Sequence, residues 1–132
     1  FYALPLDGTG TLGDEQVAWK TTKGVPRNAS PLVVGDELYM VADNGVISCL
    51  DARSGEFHWQ ERLGGDCTAS PLFADGRIYV SDENGVTKVF APGTTYRELA
   101  TNELPGRTLA SLAAADGAIF LRTDSALYRL DE

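Results

Sequence analysis

The chain repeats itself about every 40 residues, and that period constrains the fold more than any single motif does. The stretch "NASPLVVGDELYMVADNGV" begins at Asn28, "TASPLFADGRIYVSDENGV" at Thr68 and "LASLAAADGAIFLRTDSAL" at Leu109. Ala-Ser pairs lie at 29–30, 69–70 and 110–111, a spacing of 40 and then 41. Tyr39, Tyr79 and Phe120 keep the same register, as do the turn pairs Gly35-Asp36, Asp75-Gly76 and Asp116-Gly117. Three copies that agree at this many positions describe one structural unit used three times.

Each unit reads as strands. "PLVV" is a short apolar run that Gly35-Asp36 breaks, and "LYMVA" runs on to Asp43-Asn44-Gly45. There the Asn-Gly pair is a strong hairpin signal, because both residues tolerate positive φ. "VISCL" leads into a turn from Asp51 to Gly55, and "FHWQERL" closes the unit. No long stretch keeps a helical period. Four antiparallel strands in about 40 residues is the arithmetic of a β-propeller blade, a twisted sheet packed on both faces. The expected fold class is all-β: four-stranded antiparallel β-propeller blades, about three of them, in an incomplete ring.

Residues 1–132 then form a single partial propeller domain. Residues 1–22 supply the last two strands of a preceding blade, 30–63 and 70–104 a complete blade each, and 109–131 a three-stranded final blade. An open ring leaves apolar blade faces uncovered. The count therefore predicts that N-terminal blades are missing from this chain and that residue 132 lies near the true C-terminus. Absent blades, or a homo-oligomer in which a second copy closes the ring, would cover the open faces.

Composition narrows the function classes. Nineteen acidic against eleven basic residues give a formal net charge of −8, which argues against nucleic acid as a partner. No run approaches the roughly 18 apolar residues of a membrane span. Cys49 and Cys67 form no CxxC pair, and with His58 as the one histidine no zinc set can be assembled. Cys49, among the apolar residues of "VISCLD", reads as a buried thiol, and Cys67 as a loop residue. His58 alternates with Trp59 on an outer strand and reads as solvent-exposed. Asp43, Asp82, Glu83 and Asp124 fall at hairpin turns, where carboxylates are wanted for turn geometry. There is no nucleophile elbow, phosphate loop or dinucleotide turn.

"CLDARSGEFHW", residues 49–59, resembles the tryptophan-docking motif of the PQQ-like (quinoprotein-type) β-propellers, roughly Ala-x-Asp-x-x-Thr-Gly-Lys-x-x-Trp. Asp51, Gly55 and Trp59 match; Cys49, Ser54 and Glu56 depart from it. Trp19 stands 40 residues before Trp59 at the same blade position. The resemblance implies that Trp19, Asp51, Gly55 and Trp59 form a structural latch, each Trp docking on the neighbouring blade. In the next copy Leu99 occupies the place 40 residues after Trp59, so that latch is expected to be weaker or replaced by Tyr96.

The resemblance further implies a non-catalytic scaffold or binding module in a periplasmic or secreted setting, with a protein partner, akin in fold to outer-membrane assembly lipoproteins. An alternative is a fragment of a PQQ-dependent quinoprotein dehydrogenase whose active residues lie in absent blades. Another is a sensor domain of a larger protein such as a kinase. PQQ and Ca²⁺ enter only through the family; the residues themselves indicate no catalytic, cofactor or metal site. Loops leading into each first strand hold Arg27, Asn28, Asp66, Thr68 and Arg107, which are expected to share the channel face with the 43–45 and 82–85 turns. Substituting Arg27 and Arg107 is expected to leave stability nearly unchanged.

Overall fold

In a computed structural model, which describes residues 1–131, tight turns set the architecture. The expectation placed on residue 132 lies outside the described residues. Asp75-Gly76 has φ of 47° and 68°, and Asp116-Gly117 has 49° and 72°. Such mirror-type turns carry the twist of the strands they join, so each first strand folds straight back along the second. Gly35 has φ of 66° and serves the same two-residue connection.

Four antiparallel sheets result. β1 (Tyr2–Ala3) pairs with β2 (Trp19–Lys20). β3 (Leu32–Val34), β4 (Glu37–Val41), β5 (Val46–Asp51) and β6 (Phe57–Arg62) form a four-stranded sheet in chain order. β7 (Leu72–Ala74), β8 (Arg77–Ser81), β9 (Val86–Phe90) and β10 (Glu98–Glu103) form a second. β11 (Ala113–Ala115), β12 (Ala118–Arg122) and β13 (Leu127–Leu130) form a three-stranded third. The fold is an all-β arrangement of propeller blades in an open ring. The 3-10 turn Asp14–Gln16 is the only helix among the described residues.

One local expectation is made specific and another corrected. At Asp43-Asn44-Gly45 only Gly45 has positive φ, at 76°. The Gly45 amide bonds to the Ala42 carbonyl and the Ala42 amide to the Val46 carbonyl, so this is a three-residue loop ending in a left-handed Gly. Glycine is required there twice over, since a Cβ would come within 2.1 Å of the Gly65 carbonyl oxygen. The second correction concerns the opening strands. "YALPLD" contributes two paired residues rather than a full strand, because Pro5 and Gly8 break the run that follows.

Apolar burial is concentrated where sheets face each other. Tyr39, Val41, Ile47 and Cys49 of the first sheet pack on Ile78, Val80 and Phe90 of the second. Leu38, Met40 and Leu50 pack on the opposite side against Phe1, Trp19 and Phe57. The first strands are also tied to one another. The Ser30 amide donates to the Ser70 hydroxyl at 2.9 Å, and the Ser70 amide to the Ser111 hydroxyl at 2.9 Å. The repeated Ala-Ser pair thus sets the register between sheets.

Candidate functional site

The turn after β5 is built from its own polar side chains. Asp51 Oδ1 accepts from the Ser54 amide at 2.7 Å, the Ser54 hydroxyl at 2.9 Å and the Arg53 amide at 3.0 Å. The Ser54 amide and hydroxyl hold the Asp51 carboxyl below its ordinary range. Gly55, at φ 74°, then presents a bare backbone surface. The Trp19 ring lies on it so closely that a Cβ at Gly55 would fall 2.5 Å from the indole. Trp19 Nε1 donates to the Ala52 carbonyl at 3.1 Å, and Phe1 stacks against Trp19 with ring centroids 5.7 Å apart.

The same device recurs one sheet on. Trp59 Nε1 donates to the Gly93 carbonyl at 3.0 Å, and the Gly93 amide donates to the Tyr39 hydroxyl at 2.7 Å. One residue of the second sheet is therefore gripped through both faces of its backbone by two aromatics of the first. Trp59 also meets Phe90 edge-on at 5.9 Å and Tyr96 at 5.1 Å. Burial pushes the Tyr39 phenol well above its ordinary range, although the Gly93 bond acts the other way.

Strand register moves the position expected for the following latch and excludes its replacement by Tyr96. Cys49 stands opposite Trp59, whereas its counterpart Val89 stands opposite Ala100, with Leu99 in a bulge. The turn between β9 and β10 is one residue longer than the turn between β5 and β6. Ala100, not Leu99, therefore holds the place of Trp59. The same shift puts Tyr96 at the place of Gly55. Tyr96 does not substitute for the missing Trp; it is the surface on which Trp59 rests.

Four of the five loop residues are drawn to the carboxylates of the neighbouring turns. Asp43 accepts from the Arg27 amide at 2.9 Å and from the Asn28 carboxamide at 3.2 Å. Glu83 accepts from the Thr68 hydroxyl and from Arg107, whose Nε and Nη2 lie at 3.2 and 2.5 Å. The Thr68 hydroxyl first, then Arg107, hold the Glu83 carboxyl below its ordinary range. The Arg107 amide reaches Asp124 at 3.2 Å, and the Asp66 carbonyl accepts from the Glu83 amide at 2.8 Å. Asp66 and the Arg27 guanidinium are exposed. Arg107 is thus a brace between the second and third sheets, and Arg27 is held only by its backbone.

Calcium with PQQ finds no fitting donor set in these residues. The carboxylate oxygens of Asp82 are taken by the amides of Gly65, Asn84 and Val86. Among the described residues no three of His, Cys, Asp and Glu are grouped to share a metal. His58 is exposed on β6, and Cys49 and Cys67 are both buried free thiols.

Sequence reasoning missed what meets Trp59 across the sheets, Gly93 with the Tyr39 phenol, and the serine ties. The serines did leave a signal in the Ala-Ser register. It also missed that the second pair of sheets shares no apolar cluster like that of the first. Where the first sheet turns Val41, Ile47 and Trp59 toward its neighbour, the second turns Ser81, Thr87 and Ala100. A groove of about 1370 Å³ lies between the second and third sheets, with Tyr79, Leu112, Ala118 and Leu121 in its walls.

A family model described as outer membrane protein assembly factor BamB matches residues 9–94. A curated relative of that name from Burkholderia pseudomallei is 28% identical over 123 residues, covering 90% of this chain and 31% of its own length. The chain therefore spans about a third of that relative. The crystal structure of BamB from Moraxella catarrhalis superposes with a TM-score of 0.67 at 20% identity, covering 87% of this chain and 39% of that one. The quinohemoprotein alcohol dehydrogenase ADHIIG from Pseudomonas putida superposes with a TM-score of 0.60 at 16% identity, covering 78% of this chain and 17% of that one. At these identities the two structures show the shared fold alone.

Proposed function

The chain belongs to the PQQ-like family whose model is described as outer membrane protein assembly factor BamB, and from that premise we propose that it is part of a non-catalytic propeller scaffold that works by binding protein partners in the periplasm. The observation that carries the reading is how the polar side chains are spent. Both indoles donate to backbone carbonyls of the next sheet. The turn carboxylates of Asp43, Asp82, Glu83 and Asp124 accept from backbone amides, hydroxyls or Arg107. Groups engaged in this way hold a rigid surface in shape rather than move protons or bind an ion. Under this reading Trp19, Asp51, Gly55 and Trp59 are a structural latch, and the loops around Arg27, Asn28, Asp66, Thr68 and Arg107 lie on an exposed end of the blades.

Outer-membrane protein assembly, the role in the relatives' name, supplies the class of partner. Two measurements test the reading. Cross-linking in intact cells, with outer and inner membranes separated, is expected to recover the protein joined to outer-membrane assembly proteins. Incubation with PQQ and Ca²⁺ is expected to leave no cofactor absorbance after dialysis; retained PQQ with substrate-dependent dye reduction would overturn the non-catalytic assignment.

A further inference from the structure

We propose that Asn44 is a site of spontaneous deamidation, and that Asp82 protects Asn84, its repeat counterpart, from the same reaction. The two sites are a matched pair. Each reads Asn-Gly-Val after an acidic residue, Asp43 or Glu83, so their intrinsic chemistry is alike. Both asparagines are exposed, and both glycines are buried at positive φ, 76° at Gly45 and 88° at Gly85. Glycine matters because no side chain shields its amide nitrogen from the carboxamide before it. In each loop that nitrogen is engaged, Gly45 on the Ala42 carbonyl at 2.9 Å and Gly85 on the Asp82 carbonyl at 3.2 Å. This bond must open before either site reacts, and exposed loops open locally without global unfolding.

What differs is where the next amide is spent. In the first loop the Val46 amide donates to Asn44 Oδ1 at 3.4 Å. The carboxamide is drawn back across Gly45, and its oxygen, where negative charge develops during attack, already faces a donor. In the second loop the Val86 amide goes to Asp82 Oδ1 at 3.0 Å, and the Asn84 amide goes to the same oxygen at 2.9 Å. Both peptide groups flanking the Asn84-Gly85 pair are thus tied to one carboxylate, whose other oxygen holds the Gly65 amide at 3.0 Å. The counterpart of Asp82 in the first loop is Ala42, which has no side-chain acceptor. One residue of difference between the repeats leaves one Asn-Gly pair poised and the other pinned.

The chemistry needs only water. The Gly45 nitrogen loses its proton to solvent base and attacks Asn44 Cγ. The N–Cγ bond forms, the Cγ–Nδ2 bond breaks, and Nδ2 leaves as ammonia with a proton from water. Water then opens the cyclic imide at either carbonyl, giving aspartate or an isoaspartate whose main chain runs through Cβ. In sum, water enters and ammonia leaves, with no change of oxidation state. The isoaspartate adds a methylene to a loop without slack, since the Gly45 carbonyl holds the Leu63 amide at 2.8 Å and a Cβ there would fall 2.1 Å from the Gly65 carbonyl oxygen. The new carboxylate also stands next to Asp43, which holds the Arg27 amide and the Asn28 carboxamide.

The test is incubation of the folded protein at pH 8, followed by digestion, peptide mass spectrometry and enzymatic methylation of isoaspartate. Asn44 is expected to convert at least about tenfold faster than Asn84. In concentrated urea the two should convert at equal rates, because the local sequences match. Asp82→Ala releases the Val86 amide and should raise the Asn84 rate about fivefold or more while leaving Asn44 unchanged. Asp82→Asn keeps an acceptor oxygen and should keep Asn84 slow. If Asp82→Ala does not fold, Asp82→Asn and the two sites of the unsubstituted protein carry the test. Equal rates at Asn44 and Asn84 in the folded protein would overturn the proposal, as would conversion of Asn44 only after denaturation. Unequal rates in urea would place the difference in the sequence rather than the loops and overturn it too. A folded Asp82→Ala protein with Asn84 still slow would remove the protecting role of Asp82.

Discussion

Trp59 joins two contributions that substitution can separate. Its ring fills the space among Tyr39, Phe90 and Tyr96, and its Nε1 holds the Gly93 carbonyl at 3.0 Å. Trp59→Ala removes both and is expected to cost about 3–5 kcal/mol in urea denaturation. Trp59→Phe keeps most of the ring and strands the carbonyl, for about 1–2 kcal/mol. Equal urea midpoints for Trp59→Ala and the unsubstituted protein would remove the latch role altogether. The thiols give a second residue-scale prediction. Burial pushes Cys49 up to about 11 and Cys67 up to about 12. At pH 8 both should be inert to a thiol-specific disulfide reagent until denaturant is added; rapid reaction of the folded protein would contradict the packing. Trp19, Asp51, Gly55 and Trp59 stand out in the sequence because a large indole, a turn-forming carboxylate and a left-handed glycine are each chemically distinctive. Gly93 was not, because what matters there is a backbone carbonyl, which every residue has.

Between elements the decisive quantity is turn length. The strands themselves could be read from alternation of apolar runs with Gly and Asp, and the observed β4 and β5 coincide with "LYMVA" and "VISCL" to within one residue at each end. One extra residue between β9 and β10 then moved every side chain of β10 by one place relative to β6. A slip of one exchanges the two faces of a strand, which is why a count of 40 from Trp59 led to Leu99 rather than Ala100. The same strand carries a cluster with a pH signature. Lys88 at 2.9 Å, then Thr101 at 2.8 Å and Tyr96 at 3.0 Å, donate to Glu98 and hold its carboxyl down at about 2. An unfolded Glu titrates near about 4.3. The folded value is the lower one, so the stabilisation is complete above the unfolded value and is lost as pH falls toward 2. Glu98→Gln should therefore be less stable than the unsubstituted protein at pH 6, and the gap in urea midpoint should narrow between pH 5 and 2.5. A gap independent of pH would mean that the glutamate contributes through packing alone.

Across the whole molecule the repeat made the number of sheets and their kind readable, because period and strand count are properties of the chain itself. It could not reveal which sheets seal against each other. That depends on residues a full repeat apart meeting face to face, and the faces are set by the turn lengths between them. The outcome is one closed seam and one open one. The first is closed by the gripped Gly93 and a continuous apolar cluster from Tyr39 to Phe90. The second buries Leu112, Ala118 and Leu121 without joining that cluster, and is tied by Arg107 on Glu83, the Ser70–Ser111 bond and the Thr108 amide on the Glu83 carbonyl at 3.2 Å. An exposed ion pair of this kind contributes little, and each hydrogen bond adds only modestly to it. Local opening follows the weaker seam. Native-state hydrogen exchange should therefore find the amides of Met40, Val41, Ile47 and Cys49 protected near the global limit, with those of Ile119–Arg122 and Leu127–Leu130 exchanging at least about tenfold faster through a smaller opening. Arg107→Ala should widen that difference without touching the first seam, because its partner Glu83 lies on the second sheet. Equal protection across these three sheets would mean that they open as one cooperative unit, and the distinction between the two seams would have no energetic content.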